Sequence, residues 1–457
     1  MVLARLLAPE DFGLVAMVAG IVGFVGRLTD MGLTSATVQR EKLSNQQVSN
    51  LFWINGSLGL LGFVAVVLLS PLVSWFFDEP ALVGVTIGLG TVFIISGFSA
   101  QFVAVLRRRM RFRALNIIHV LGSGISAMGA IAAAYFGAEY WALVIRSPFA
   151  ALVTLVVVAV VSTWHPGRFR WNETTREMLK FGRNLTFSSL VSFINRNIDD
   201  ILIGRFIGKE SLGLYDRAYK IFVMPNSLVF SPLGSVMIST LSRLQDEPKK
   251  YRETYCRVLQ KLILLSACGA ALIGVCSDWI VDIILGTGWE PAMPILAVLA
   301  FTFVNQPLGK SAGWIYISQD RTHHAAQWSL VGLPITVVAV VVGLNWGALG
   351  VATAYSLSAL LIKHPIIVWW STREGPVRAR DTIEALLPGY SAGIVSFFGL
   401  LGLRHYVAFE SSLAGTLAAA ATVAVAALLT TLALPSGRSL LRDARAIFDA
   451  VWAPEGK

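Results

Sequence analysis

Charge is scarce in this chain. Only 14% of its 457 residues are Asp, Glu, Lys or Arg, against about a quarter in soluble domains. A surface so poor in charge excludes an ordinary water-soluble fold. Cysteine is scarcer still: Cys256, Cys268 and Cys276 have no metal-type spacing, and the last two lie in an apolar run as small buried residues. Neither a disulfide framework nor a zinc centre is encoded. His323 and His324 form an adjacent pair without further ligands in their loop. No Walker-A glycine loop occurs, which excludes nucleotide hydrolysis within the chain. The first residues do not read as a cleavable leader. With no catalytic or metal-binding constellation and no cofactor motif, the chain reads as a non-enzyme.

What is present is hydrophobicity, at 55% of residues and a mean hydropathy of +0.67. Apolar runs long enough to cross a ~30 Å hydrocarbon layer recur along the whole length. They define an all-α polytopic membrane protein, since the short alternating pattern of a membrane barrel is missing. About thirteen spans follow, at 12–33, 46–70, 81–104, 115–136, 139–162, 181–206, 212–236, 258–285, 291–316, 325–344, 346–370, 385–403 and 412–434. The intervening loops are short, so no extramembrane domain is expected.

The net charge of +10 is unevenly placed. One set of loops holds Arg40, Lys42, "RRRMRFR" from Arg107, the run from Arg168 to Arg183, Arg243 to Arg252, Arg321, Arg373 to Arg380 and Arg438 to Arg445. The alternate loops "FFDEPA", "GAEY", "GTGWEP" and "LNW" hold no Lys or Arg, while "GKES" and "LRHY" hold one each. The positive-inside rule puts the basic set and the C-terminus in the cytoplasm, and explains the excess charge without nucleic acid. It also puts "MVLARLLAPED" outside. Either the N-terminus is inserted outward, or one upstream span is missing. Residues 438–452 read as a basic amphipathic helix on the lipid surface. "NETTREMLKF" from Asn172, with Thr174 and Glu177 at capping-box spacing, reads as a short helix between halves.

"RLLAPEDFGL" from Arg5 matches "RFIGKESLGL" from Arg205 at an offset of 200 residues, with Arg, Glu, Gly and Leu identical. Repeated halves are a signature of secondary transporters. Arg205 ends a span, so Arg5 should end one as well. Restoring that helix gives each half an even number of spans, and so the same orientation.

The span at 181–206 carries the densest polar residues inside the membrane. Ser188, Ser192, Asn195 and Asp199 fall on one helical stripe, flanked by Ser189, Arg196 and Asp200, with Leu190, Ile194, Ile198 and Ile201 opposite and Asn197 off the polar arc. Such a face must look onto protein or a water-filled cavity. It either lines a cavity or forms a self-satisfying Arg196–Asp199/Asp200 cluster. Arg27 and Asp30 stand near the end of the first span, as a matching pair or as snorkelling residues. Asp199 and Asp200 are candidates for coupling to protons or sodium, because a carboxylate in low dielectric can titrate near neutrality. In "YDRAYK", Tyr215 and Tyr219 with Arg217 and Lys220 could contact sugar or serve an interfacial belt. Pro225, Pro232 and Pro334 are hinge candidates.

"LARLLAPEDFGLVAMV", "LTDMGL", "VQREKLSNQQVSNLFWIN", "NRNIDDILIGRFIGKESLGLYDRAYKIFVMP" and "LSRLQDEPKKYR" together resemble the Wzx-type lipopolysaccharide and exopolysaccharide flippases. These form the polysaccharide transporter branch of the multidrug/oligosaccharidyl-lipid/polysaccharide exporter superfamily. The resemblance is best over residues 1–260 and loosest over the last two spans. It implies two six-helix lobes plus two extra helices. Here that means an N-terminal lobe at 1–162 lacking most of its first helix, a cytoplasmic linker at 163–180 and a C-terminal lobe at 181–370. Additional spans at 385–434 and an amphipathic tail at 435–457 complete it. It further implies a bacterial cytoplasmic-membrane flippase for undecaprenyl-pyrophosphate-linked oligosaccharide, working by alternating access among membrane lipids and alongside polymerase and export machinery. Arg196 and Arg27 are then the headgroup candidates, because guanidinium forks match phosphate oxygens, with Asn195, Ser192 and Ser188 beside them. Rival readings are a cation antiporter of the same superfamily, a membrane glycosyltransferase, and a non-transporting scaffold. The mixed Arg/Asp face disfavours the first and the short outer loops disfavour the second.

Overall fold

The computed structural model describes residues 1–30, 33–39, 44–170, 197–409 and 411–433, and every regular element among them is helical. By internal contacts the chain divides into two units, Met1–Asp216 and Arg217–Lys457.

The first unit contains α1 (Val2–Leu6), α2 (Pro9–Asp30), α3 (Leu33–Gln39), α4 (Asn45–Phe77), α5 (Leu82–Arg108), α6 (Phe112–Tyr135), α7 (Trp141–Val161), α8 (described over 197–206) and the first turns of α9 (Lys209–Arg243). A capping box starts α4: the Ser44 hydroxyl accepts from the Gln47 amide, and the Gln47 side chain accepts from the Ser44 amide at 2.8 Å. No charged residue interrupts its 33 residues, roughly 50 Å at 1.5 Å per residue, so it overshoots the hydrocarbon layer. α4 and α5 touch through their backbones. A Cβ on Gly59 would stand 2.3 Å from the Phe93 carbonyl oxygen, and one on Gly97 2.6 Å from that of Asn55. Only glycine permits this approach.

At the Arg-rich end, Phe52, Phe102 and Trp164 make edge-on contacts within one buried cluster. There the chain after α7 is strapped along the first turns of α4. Asn50 accepts from the Arg170 amide at 2.9 Å and donates to the Arg170 carbonyl, while Trp53 Nε1 donates to the Gly167 carbonyl at 2.9 Å. The outer face is the reverse of a soluble surface, with Leu68 74%, Met128 72% and Val160 81% exposed. Such a surface suits lipid, where helices satisfy every backbone group internally.

The second unit continues α9 and adds α10 (Pro248–Val275), α11 (Ser277–Ile284), α12 (Ala292–Phe303), α13 (Gln306–Ser318), α14 (Thr322–Gly343), α15 (Gly347–Ser358), α16 (His364–Thr372), α17 (Ala379–Tyr406) and α18 (Ser412–Ala433). The sequence places hinges at Pro225, Pro232 and Pro334, yet α9 and α14 run on through them. The breaks come at other prolines. α12 and α13 meet at a 40° bend, and α12 stops at Phe303, the residue whose carbonyl the Pro307 ring would strike. Between α15 and α16 a π turn, Ala359–Lys363, lies just before Pro365 and absorbs the same i−4 clash at Leu361. The last two spans are no appendage: α17 lies along α10, and Cys268, Ala271, Cys276, Ala392, Leu400, Ala419 and Val423 form one buried cluster. Cys268 and Cys276 are free and buried, as their apolar surroundings imply.

Among the described residues nine helices are long and apolar enough to cross a membrane, or ten with the bent α12–α13 pair. This is fewer than the thirteen read from the sequence. Most of the 181–206 span lies outside the described residues, and α9 is not among the nine. His323–Thr372 counts as a single stretch although α14 and α15 pack against each other across the break at Leu344–Trp346.

The two isolated cations of the Lys/Arg-poor loops are both committed to carboxylates. Arg404 grips Asp278 in a bidentate pair at 2.8 and 2.7 Å, with its guanidinium 4.7 Å from the Trp279 ring centre. Lys209 is the other.

Candidate functional site

The sequence repeat is a structural repeat. α1 ends at Leu6 and α2 starts at Pro9, while α8 ends at 206 and α9 starts at Lys209, all at the offset of 200 residues. The two halves then exchange one contact. A Cβ on Gly13 would stand 1.7 Å from the Lys209 carbonyl oxygen; one on Gly213 would stand 1.9 Å from that of Pro9. Pro9 and Lys209 are themselves repeat equivalents, so α2 and α9 cross about a local twofold axis at their first turns.

Lys209 braces this crossing, with Nζ 3.0 Å from a Glu79 carboxylate oxygen and 3.6 Å from one of Glu10. The hydrogen bond to Glu79, helped by the charges of Glu79 and Glu10, raises the Lys209 pKa above its ordinary 10.5. A raised lysine pKa contributes stability that is complete below the unfolded value and lost as pH rises through the folded one. Lys209→Met is therefore expected to melt lower than wild type at neutral pH, with the gap closing only above pH 10.5. Melting curves against pH check this, and a gap already gone at about pH 9 would contradict it.

α8 rises from this crossing toward the Arg-rich end. Its Asn197 and Ile201 face Gly20 of α2, and Gly204 packs on Met17 and Phe77. That accounts for Asn197 standing off the polar arc. Asp199 is buried and its carboxylate accepts a 2.9 Å hydrogen bond from the Tyr215 hydroxyl, whose ring is fully enclosed. Asp200 is half-buried and Arg205 is exposed at the helix end, 5.8 Å from the Phe76 ring centre. Arg27 lies exposed in the last turn of α2. Arg196, Asn195, Ser192 and Ser188 lie outside the described residues, as do the short helix at 172–181 and the tail at 438–452. In the second unit Arg217 is half-buried, Lys220 exposed, and Tyr219 packs on Phe222 with ring centres 5.7 Å apart. The structure thus joins Asp199 to Tyr215 and leaves Arg27 on the surface.

Two cavities open in the membrane-spanning region. One, of about 430 Å³, lies in the second unit among α10, α12, α17 and the π turn, with walls such as Ala271, Phe301, Ile394 and Phe398. It suits a hydrocarbon chain. The other, of about 400 Å³, lies in the first unit among α2, α3, α4 and α5; its described lining sets the hydroxyls of Thr29, Thr34, Ser96 and Ser99 and the amide of Asn55 among apolar walls such as Val92, Phe93 and Val103. Asn55 is not visible as a site residue in the sequence, and neither are Lys363 and His364. Lys363 sits inside a span, donating to Thr336 at 3.0 Å and lying 4.9 Å from the Tyr355 ring centre. Its charge inside "ALLIKHPII" was the available signal, since a membrane-embedded cation is functional by default.

Many apolar helices with a repeated crossing define a class, the polytopic helical membrane proteins with an internal repeat. The chain belongs to the family described as polysaccharide biosynthesis protein, whose model matches residues 2–294. This agrees with its resemblance to Wzx-type flippases. It is similar to the lipopolysaccharide biosynthesis protein WzxC of Escherichia coli (strain K12), 23% identical over 79% of this chain and 74% of that one. It is also similar to the teichuronic acid biosynthesis protein TuaB of Bacillus subtilis (strain 168), 27% identical over 84% and 80%. Its fold is shared with the lipid II flippase MurJ in an inward closed conformation, at a TM-score of 0.69 and 16% identity, covering 96% of this chain and 95% of that one.

Proposed function

We propose that this chain moves undecaprenyl-pyrophosphate-linked oligosaccharide repeat units across the bacterial cytoplasmic membrane for polysaccharide assembly. The observation that carries this reading is membership of the polysaccharide biosynthesis family over residues 2–294 on a multi-pass fold with repeated halves.

The obstacle to flipping is the headgroup. An unpaired charge in hydrocarbon costs many kcal/mol, and each unmatched hydroxyl adds to it. The polyprenyl tail gains about 0.8 kcal/mol per CH₂ by staying in lipid, so only the headgroup needs a protein path. Arg196 and Arg27 supply guanidinium forks for the pyrophosphate, and Ser188, Ser192 and Asn195 replace water around it. Asp199, held by Tyr215, and Asp200 couple the cycle to protons or sodium. Arg217, Lys220 and Tyr219 meet the sugar toward the Lys/Arg-poor end. Lobes at 1–162 and 181–370 rock between inward and outward states, with the basic loops and C-terminus cytoplasmic and the polymerase and export machinery receiving the product.

In liposomes holding a fluorescent lipid-linked oligosaccharide, the protein is expected to expose inner-leaflet label to an external quencher. The same preparation should leave a cationic dye in place. Gradient-driven dye movement without lipid movement would instead support the antiporter reading.

A further inference from the structure

The polar cavity of the first unit lies beside the α4–α5 contact, toward the Arg-rich end. Asn55 is eleven positions into α4, so it stands about 15 Å from the helix start. Its side chain is only 4% exposed, and its Nδ2 has no hydrogen-bond partner. An unmet amide donor at this depth is costly, and the residue that carries it lines about 400 Å³ of open space. That volume is within the range of small-molecule sites and far more than one water needs.

The remaining lining narrows the ligand. Thr29 Oγ1 donates to the Gly26 carbonyl at 3.0 Å and Ser99 Oγ to the Ser96 carbonyl at 3.1 Å. Both hydroxyls therefore spend their proton on the backbone and present lone pairs to the cavity. Asn55 offers a donor, the hydroxyls offer acceptors, and Phe93 supplies an apolar wall. No charged side chain is among the described lining residues. A charged ligand would be uncompensated there, and a hydrocarbon chain would leave every polar group unmet. A neutral molecule carrying hydroxyls, each both donor and acceptor, satisfies all of them.

We infer that this cavity is a sugar subsite, in which Asn55 donates to an oxygen of a neutral glycosyl unit while Thr29 and Ser99 accept from its hydroxyls. The inference rests on the flippase reading and adds a place for the sugar apart from the residues assigned to the pyrophosphate.

The test compares two probes on the full chain in nanodiscs, undecaprenyl pyrophosphate bearing a neutral oligosaccharide and the same lipid without sugar. Asn55→Leu removes the donor with little change of shape, and Thr29→Val removes an acceptor. Each is expected to weaken the sugar-bearing lipid about tenfold and leave the sugar-free lipid unchanged. Asn55→Leu should also melt at or above the wild-type temperature, because it removes an unsatisfied buried group; a structural asparagine would do the opposite. Equal weakening of both lipids, or unchanged binding of the sugar-bearing one, would overturn the subsite. If wild type binds both lipids equally, the subsite falls and the flippase reading stands. Binding of neither removes both.

Discussion

Replacing Gly13 by valine is expected to destabilise the protein, and replacing Gly213 by valine is expected to do so by the same amount. The Cβ would lie 1.7 Å from a carbonyl oxygen in the first case and 1.9 Å in the second. No rotamer change relieves a clash with backbone, so α2 and α9 must part. Overpacking of this kind costs about 1–3 kcal/mol, and more where the obstacle cannot move. The equality follows from the reciprocal geometry, since the residues the two glycines meet, Lys209 and Pro9, are themselves repeat equivalents. The double variant should cost less than the two singles together, because the first valine already opens room for the second. Thermal or denaturant unfolding of the three variants decides this. Unequal, additive effects would mean that the two contacts are independent and the local twofold has no mechanical meaning.

Arg196→Ala is expected to slow flipping about a hundredfold, corresponding to the few kcal/mol lost when one member of a desolvated charge pair is removed. Arg196→Lys should recover part of the rate, since an ammonium keeps the charge but loses the paired fork. Asp199→Asn should act differently, retaining lipid binding while abolishing dependence on an imposed ion gradient. The competing view is that Arg196 only neutralises its neighbouring aspartates. In that case the Arg196→Ala/Asp199→Asn double variant would regain the wild-type rate, because the uncompensated charge would be gone.

The sequence exposed some layers of this molecule and hid others for physical reasons. Loop charge separates the two membrane faces, and its two exceptions prove local: Lys209 answers Glu10 and Glu79, and Arg404 answers Asp278. The Arg5/Arg205 repeat was legible because Gly13 and Gly213 cannot change without moving two helices. Breaks were harder to see. Breaks stand beside Pro307 and Pro365, while the helices run on through Pro225, Pro232 and Pro334, so proline alone does not mark them. Asn55 was hidden by composition. In a bilayer both the lipid face and the protein face of a helix are apolar, so one amide in an uncharged span leaves no periodic trace. The resemblance is loosest over the last two spans and says nothing about their packing, in which α17 shares its core with α10. Of the polar stripe read from spacing, Asp199 lies among the described residues, and it points into protein, where Tyr215 holds it.

The central claim is that the pyrophosphate headgroup travels along the polar face of α8 beside α2. Photo-cross-linking tests it most directly, using an undecaprenyl-pyrophosphate oligosaccharide with the reactive group next to the pyrophosphate, followed by mapping of the adducts. The account predicts adducts on the stripe read from sequence between Ser188 and Arg196 and near Arg27, lost in excess unlabelled lipid-linked oligosaccharide. Adducts confined to lipid-facing residues such as Leu68, Met128 and Val160, with that stripe unlabelled, would contradict it.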